Sequence, residues 1–132
     1  EPGPSALEAG RETIERCFSK DTVEEIEAAL AAEDTDWAAR MLHHMKGKSP
    51  LSQKVSMRQL KEGAAMEFDA CMVMEYRLSQ HCMAGNDFFE GVRALLVDKD
   101  KKPQWQPPTL AEVSEELVDG YFAPLGAQEL TF

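Results

Sequence analysis

Three lysines, Lys99, Lys101 and Lys102, follow an apolar helical stretch and stand just ahead of Pro103 and Trp105. An ammonium group on a flexible stem meets a phosphate as a point charge, without the fork geometry that arginine imposes. The same placement suits a plain helix end, where lysines answer the negative end of the helix dipole. Both readings stay open at this level. No other group of residues competes for chemistry. There is no G-x-S-x-G, hence no nucleophile elbow. Cys82 adjoins His81, but helical neighbours point about 100° apart, which does not build a Cys–His pair. His43 and His44 diverge for the same reason and have no carboxylate at ligand spacing, so no metal set is expected. The eight glycines are scattered and form neither G-x-G-x-x-G nor a Walker pattern. The pairs Glu24–Glu25 and Glu115–Glu116 read as capping and solubility. The residue types therefore predict no catalytic constellation.

The elements that would carry these residues read as helices with short joints and no strand. The first ten residues, with two Pro and two Gly, read as a lead-in. A helix follows from about Leu7 to Phe18, with Leu7, Ile14, Cys17 and Phe18 inward. Asp21 with Glu24 three residues on suggests a capping box for a second helix bearing Val23, Ile26, Ala29 and Leu30. Asp36 is the expected cap of a third, with Trp37, Met41, Leu42 and Met45 at helical spacing and Gly47 as its stop. Ser49-Pro50 opens a fourth, carrying Leu51, Val55 and Leu60 and ending near Gly63. The longest helix is expected from about Met66 to Ala84, with Phe68, Cys71, Met72, Leu78 and Cys82 as its stripe and Gly85 as its stop. Glu75 lies on that stripe, and a buried carboxylate needs a partner; Arg58 and Arg93 are the candidates. Asn86 is the expected cap of the sixth helix, Asp87 to about Asp98, with Phe88, Val92, Leu95 and Leu96 on one side; without a catalytic core to cover them, the apolar stripes of Met41, Met72 and Leu95 are expected to be exposed and to seek partners. Pro103, Pro107 and Pro108 then forbid a helix. Thr109 and Glu112 form another apparent capping box, opening a last helix with Leu110, Val113, Leu117, Tyr121 and Phe122 inward. The fold class is all-α, with about seven short helices.

With 132 residues, the chain bounds one domain at most. No apolar run nears the ~20 residues that span a bilayer, so no membrane partner is expected. The acidic start lacks the layout of a signal peptide. The net charge of −10 disfavours nucleic acid. Against that average, no acidic residue lies between Asp36 and Glu62, while Arg40, Lys46, Lys48, Lys54, Arg58 and Lys61 all do. Such a band is a solvated or intramolecular face, or a docking surface for an anion. Three cysteines, Cys17, Cys71 and Cys82, without C-x-x-C, argue against a disulfide framework.

The run GNDFFEGVRALLVDKDKKPQW, Gly85 to Trp105, joins a helix, a basic knuckle and Pro-x-aromatic. This arrangement resembles the closing segment of the crotonase (enoyl-CoA hydratase/isomerase) superfamily. SPLSQKVSMRQL (Ser49 to Leu60) and MEYRLSQHCM (Met74 to Met83) narrow the resemblance to its 3-hydroxyisobutyryl-CoA hydrolase branch. The resemblance runs from roughly Arg11 to Phe132 and reaches only the C-terminal part of that enzyme. It implies a flexible lead-in over 1–10 and, over 11–132, the C-terminal helical region of a crotonase fold lacking its ββα core. The family's oxyanion hole and acidic side chains belong to that core, and none maps onto this chain; no catalytic residue is implied here.

In the superfamily a lysine just after the matching helix commonly reaches the phosphates of CoA, often on a neighbouring subunit's ligand. Aligning Glu90-Gly91 with the family's Glu-Gly places Lys99 there with one inserted residue, and Lys101 and Lys102 beside it. Many crotonases also set an aromatic near the adenine on the preceding helix, where this chain has Leu78, Ser79 and Met83. The resemblance implies cleavage of 3-hydroxyisobutyryl-CoA to the free acid and CoA in mitochondrial valine breakdown, with the CoA thioester as substrate and no cofactor. Implied partners are an N-terminal crotonase core, on the same or a separate chain, and further copies of the protein. Some members of the branch look like structural subunits of mitochondrial ribosomes, an alternative that the basic band suits and the net charge opposes. An independent helical interaction module is a third reading.

Overall fold

Side-chain caps mark the start of five of the seven described α-helices. The structure is a computed structural model that describes Gly3 and residues 5–132. Glu1, Pro2 and Pro4, part of the expected lead-in over 1–10, lie outside the described residues. Among those described, every regular element is a helix or helical turn, and seven are α-helices. The chain forms two compact units, one through Lys48 and the other Ser49–Phe132.

The first unit holds α1 (Ala6–Phe18), α2 (Val23–Ala32) and α3 (Asp36–Lys46). The capping box of α2 is built one residue later than Asp21 and Glu24 suggest. Thr22 adopts the extended backbone that an N-cap needs, its hydroxyl accepts from the Glu25 N–H, and Glu25 accepts from the Thr22 N–H. Thr35 likewise caps α3, which leaves Asp36 in the first turn, where its charge faces the positive helix end. Cys17, Val23, Ile26, Leu30 and Ala38 are buried together as the core. Phe18 meets the edge of Trp37 with centroids 6.5 Å apart while staying partly exposed. Leu7, expected inward, is 70 % exposed. Arg16 grips Glu33 with both Nε and Nη2 (2.5 and 2.9 Å), fastening the end of α1 to the end of α2.

The second unit holds α4 (Pro50–Gly63), α5 (Phe68–Ala84), α6 (Asn86–Val92) and α7 (Glu115–Phe122). Leu51, Val55, Met74, Leu78, Val113 and Val118 are its core, with Leu117, Tyr121 and Phe122 packed against it. Each such side chain taken from water contributes roughly 1.5–3 kcal/mol. The buried face of α5 is rotated from the expected stripe and centres on Met74 and Leu78, leaving Phe68 and Met72 exposed. Glu75 is consequently exposed and accepts from Gln59 Nε2 (2.7 Å), not from an arginine. Arg58 instead pairs with Glu62 and Asp119 while its guanidinium sits 4.4 Å over the Phe122 ring. Lys54 donates to the Val113 carbonyl (3.2 Å). Two members of the basic band in this unit thus serve intramolecular packing.

The expected last helix is also corrected. Thr109 and Glu112 do meet (2.9 Å), but they enclose a single tight turn, Leu110–Glu112. Val113 then leaves helical geometry because its side chain is drawn into the core, and Ser114 caps the true α7 through the Leu117 N–H. Between α5 and α6 only Gly85 serves, as C-cap of one helix and N-cap of the next, in place of Asn86. A Cβ at Gly85 would stand 2.7 Å from the Tyr121 hydroxyl, so the close approach of α7 requires glycine there.

One buried polar knot joins these elements. Asp87, only 8 % exposed, accepts from Ser49 Oγ at the start of α4 (2.5 Å), from the Gln106 N–H (2.9 Å) and from Asn86 Nδ2 (3.2 Å). Ser49 Oγ in turn accepts from the Ser52 N–H (3.0 Å) and so caps α4. Asp87→Ala strands the Gln106 N–H and the Ser49 hydroxyl and is expected to lower unfolding stability by about 2–3 kcal/mol. Asp87→Asn keeps an acceptor for Gln106 and should lose less. Urea unfolding of the two variants beside the parent chain measures this, and a loss below about 0.5 kcal/mol for Asp87→Ala would show that the knot does not hold the unit together.

Candidate functional site

The lysine knuckle is built by strapping a loop against α6. Carboxylates one helical turn apart, Asp87 and Glu90, take the backbone N–H groups of Gln106 and Gln104 (2.9 and 2.7 Å). Alternate N–H groups of an extended segment point the same way, so two acids at i and i+3 on a helix can hold both. The residue between, Trp105, lies on Gly91: a Cβ there would meet the indole at 3.3 Å. Glycine in the middle of a helix lowers stability, and at Gly91 it gives the indole a seat.

Past Val92 the helix widens into a π-type turn, Arg93–Val97, in which the Asp98 N–H reaches back to the Arg93 carbonyl (2.8 Å). Arg93 then gathers the knuckle. Its Nε and Nη2 donate to Glu90 (2.8 and 2.7 Å), its Nη1 to Asp98 (2.6 Å) and Asp100 (2.8 Å), and its Nη2 also to the Lys102 carbonyl (3.3 Å). Asp100 further accepts from the Lys102 N–H (2.8 Å), and the Lys101 N–H donates to the Ala94 carbonyl (3.0 Å). Lys99 and Lys101 sit in the left-handed region, at φ of 57° and 56°. Lysine rarely adopts that backbone. Paired with Arg93 and with the Gln104 N–H, Glu90 has its pKa lowered to about 2. The Arg93 guanidinium, with the Lys102 N–H, also holds the Asp100 carboxyl below the usual range. Those three carboxylates raise the pKa of Arg93 in return.

The structure therefore brings Lys99, Lys101 and Lys102 onto one short exposed loop. None forms an ion pair among the described residues. The apolar residues before them face solvent. Phe88, Phe89, Leu95, Leu96 and Val97 are 47–69 % exposed, with the two phenylalanine rings edge to face at 5.4 Å. The inner side of the helix is taken instead by Asp87, Gly91 and the fully buried Ala94. Hydrophobic periodicity does not reveal the packed side, because it is made of small residues and one acid. The exposed apolar face and the uncommitted lysines are consecutive along the chain.

The remaining candidates are occupied elsewhere. His81 Nε2 lies 3.0 Å from the Ala123 carbonyl, and burial pushes the Cys82 thiol upward, away from the thiolate a nucleophile needs. His43 and His44 hold their rings 6.1 Å apart beside Asp36 and Arg40, along an open depression of about 320 Å³. No three His, Cys, Asp or Glu among the described residues stand together as a metal set. No described helix is long and apolar enough to cross a membrane.

Residues 1–122 match the family model for enoyl-CoA hydratase/isomerase. Over 127 residues the chain is 46 % identical to 3-hydroxyisobutyryl-CoA hydrolase, mitochondrial, of Xenopus laevis, covering 96 % of this chain and 33 % of that protein. It is 45 % identical to the protein of the same name from Homo sapiens, again over 96 % of this chain and 33 % of the relative. Among solved structures, a carnitinyl-CoA dehydratase from Mycobacterium thermoresistibile superposes with a TM-score of 0.92 at 38 % identity, covering all of this chain and 38 % of that one. The chain thus spans about a third of the length of the curated relatives it matches, and it corresponds to their C-terminal part.

Glu90 supplies an acid-sensitive element of this site. Its folded pKa, about 2, is depressed from 4.5, so its contribution is fully present above pH 4.5 and is lost as pH falls through 2. Glu90→Gln removes that titration. The expected result is a stability curve with a shallower acid limb between about pH 4.5 and 2 than the parent's, read from urea midpoints across pH. Parallel acid limbs would show that the Arg93 clasp leaves Glu90 unperturbed.

Proposed function

Since the chain belongs to the enoyl-CoA hydratase/isomerase family, we propose that it is the C-terminal helical region of a 3-hydroxyisobutyryl-CoA hydrolase and works only against an N-terminal crotonase core. In this reading water adds to the thioester carbon, the C–S bond breaks, and the sulfur leaves with a proton as free CoA beside 3-hydroxyisobutyrate. The core supplies the oxyanion hole and the acid–base groups. This chain supplies the cover over the site, an association surface and a contact to the CoA phosphates through Lys99, with Lys101 and Lys102 beside it. The CoA ester is substrate, so no further cofactor is invoked. The mitochondrion is the compartment, since the relatives above are named for it.

The observation that carries this reading is the unpartnered face of Phe88, Phe89, Leu95, Leu96 and Val97 leading directly into the lysine knuckle. A run of large exposed apolar side chains followed by charge suits a docking site. A second body on that face would bring its ligand within reach of the lysines.

Two outcomes are expected. The 132-residue chain alone, incubated with 3-hydroxyisobutyryl-CoA, releases no free thiol above buffer; joined to a crotonase core of the same family it turns over. Turnover by the chain alone that persists through purification would end the proposal. In the joined protein Lys99→Ala raises KM for the CoA ester about fivefold at low salt, the loss of about 1 kcal/mol expected of an exposed lysine–phosphate contact. Because that phosphate is held alike in ground and transition states, kcat changes little. The KM effect shrinks as ionic strength rises. A larger effect from Lys101→Ala or Lys102→Ala would move the contact to that residue, and no effect from any of the three would reduce the knuckle to a solvated helix end.

A further inference from the structure

We infer that Arg93 is the positioning residue of the phosphate contact: it draws Glu90, Asp98 and Asp100 onto its own guanidinium, and thereby holds Lys99 and Lys101 in their left-handed conformation with their ammonium groups free for the phosphates of a CoA ester. The inference rests on the phosphate-contact reading above and deepens it.

Composition alone makes the knuckle a poor anion site. Between Glu90 and Lys102 the chain carries four cations, Arg93, Lys99, Lys101 and Lys102, against three carboxylates, Glu90, Asp98 and Asp100. Asp98 and Asp100 alternate with the lysines, so in a slack loop each lysine has a carboxylate neighbour to pair with and the phosphate meets a self-neutralised segment. The geometry lessens that competition, with only Lys102 still close enough to help hold the Asp100 carboxyl low. One guanidinium receives all three carboxylates, at 2.6–2.8 Å, and none of the three lysines forms an ion pair among the described residues. A planar five-donor fork can do this, whereas a lysine at 93 could not serve Glu90 through two nitrogens and Asp98 and Asp100 through a third.

The backbone points the same way. Two non-glycine residues with positive φ, separated by one position, are uphill and persist only where surrounding contacts over-determine them. The contacts here are the Arg93 bonds to Asp98, Asp100 and the Lys102 carbonyl, the Asp100 bond to the Lys102 N–H, and the Lys101 N–H to Ala94. Four of the five involve Arg93 or a carboxylate it holds. The apolar core contributes nothing to this loop, whose residues 98–102 are all exposed.

The test uses the chain joined to its crotonase core, with the dissociation constant for CoA measured calorimetrically at low ionic strength and KM measured for 3-hydroxyisobutyryl-pantetheine, a hydrolysable ester that lacks the nucleotide phosphates. Arg93→Ala is expected to weaken CoA binding about fivefold, as far as the triple variant Lys99→Ala/Lys101→Ala/Lys102→Ala does, and to move the pantetheine-ester KM less than about twofold. Arg93→Lys, which keeps the charge and loses the fork, is expected to follow Arg93→Ala and not the parent; it also decides the matter if Arg93→Ala does not fold. Strong intraresidue HN–Hα contacts in NMR spectra at Lys99 and Lys101, the mark of positive φ, should weaken in Arg93→Lys. CoA affinity unchanged in the Arg93 variants but lowered in the triple variant would overturn the role of Arg93 and leave the phosphate contact standing. Equal losses for CoA and the pantetheine ester would reduce Arg93 to a purely structural residue. A triple variant that binds CoA like the parent, or a parent that does not bind it, would remove the phosphate contact itself and this inference with it.

Discussion

The second unit depends on carboxylates of one helix holding backbone N–H groups of a loop. Asp87 takes Gln106, Glu90 takes Gln104, and Trp105 lies on Gly91 between them. A proline-bearing loop has few partners of its own, and unpaired backbone donors are costly. Two acids spaced i and i+3 satisfy two donors at once and lay the loop along α6. Asp87 adds the start of α4 through Ser49, so a single side chain fixes where three segments meet. Removing it would release the loop and with it the platform for the lysines.

That strap explains why the large apolar side chains of α6 face out. A helix has one packed side, and here Asp87, Gly91 and Ala94 occupy it. Phe88, Phe89, Leu95, Leu96 and Val97 are left exposed. The same helix turns its polar strength inward, through Asp87 and Glu90, and its apolar strength outward. This is the reverse of what an amphipathic surface helix does. The electrostatics are arranged on the same plan. Arg93 collects three carboxylates, and the lysines that form no ion pair among the described residues follow the exposed apolar run along the chain, whose net charge is −10.

Much of the fold was legible one residue at a time. Ser49-Pro50, Gly63 and Gly85 mark their boundaries because they carry local chemistry: a cap, a fixed φ and a chain reversal without a Cβ. Where two candidate caps stood side by side, the sequence did not choose. Asp21 or Thr22, and Asp36 or Thr35, differ only in which residue takes extended backbone, and the chain's path into the helix decides that. The Thr109–Glu112 pair forms as expected, yet it closes only one turn because core burial of Val113 outweighs further helix. The exposed Glu75 and the rotated face of α5 have one cause: Met74 and Leu78 fit the α4–α7 interior better than Phe68 and Met72, a matter of shape that periodicity does not encode.

By itself the sequence determined an all-α chain of seven helices, the family to which it belongs and the place of the basic knuckle, since each rests on short-range patterns and on motifs such as the Glu-Gly, Asp-Lys and Pro-x-Trp of Gly85 to Trp105. Only the tertiary structure decided that Arg93 gathers residues three, five and seven positions away with a loop carbonyl nine away, and that a helix turns its phenylalanines and leucines out to make room for a strap. Those spacings follow no helical or strand period. They arise from a widened turn and two left-handed lysines, and such a backbone exists only where the folded contacts hold it.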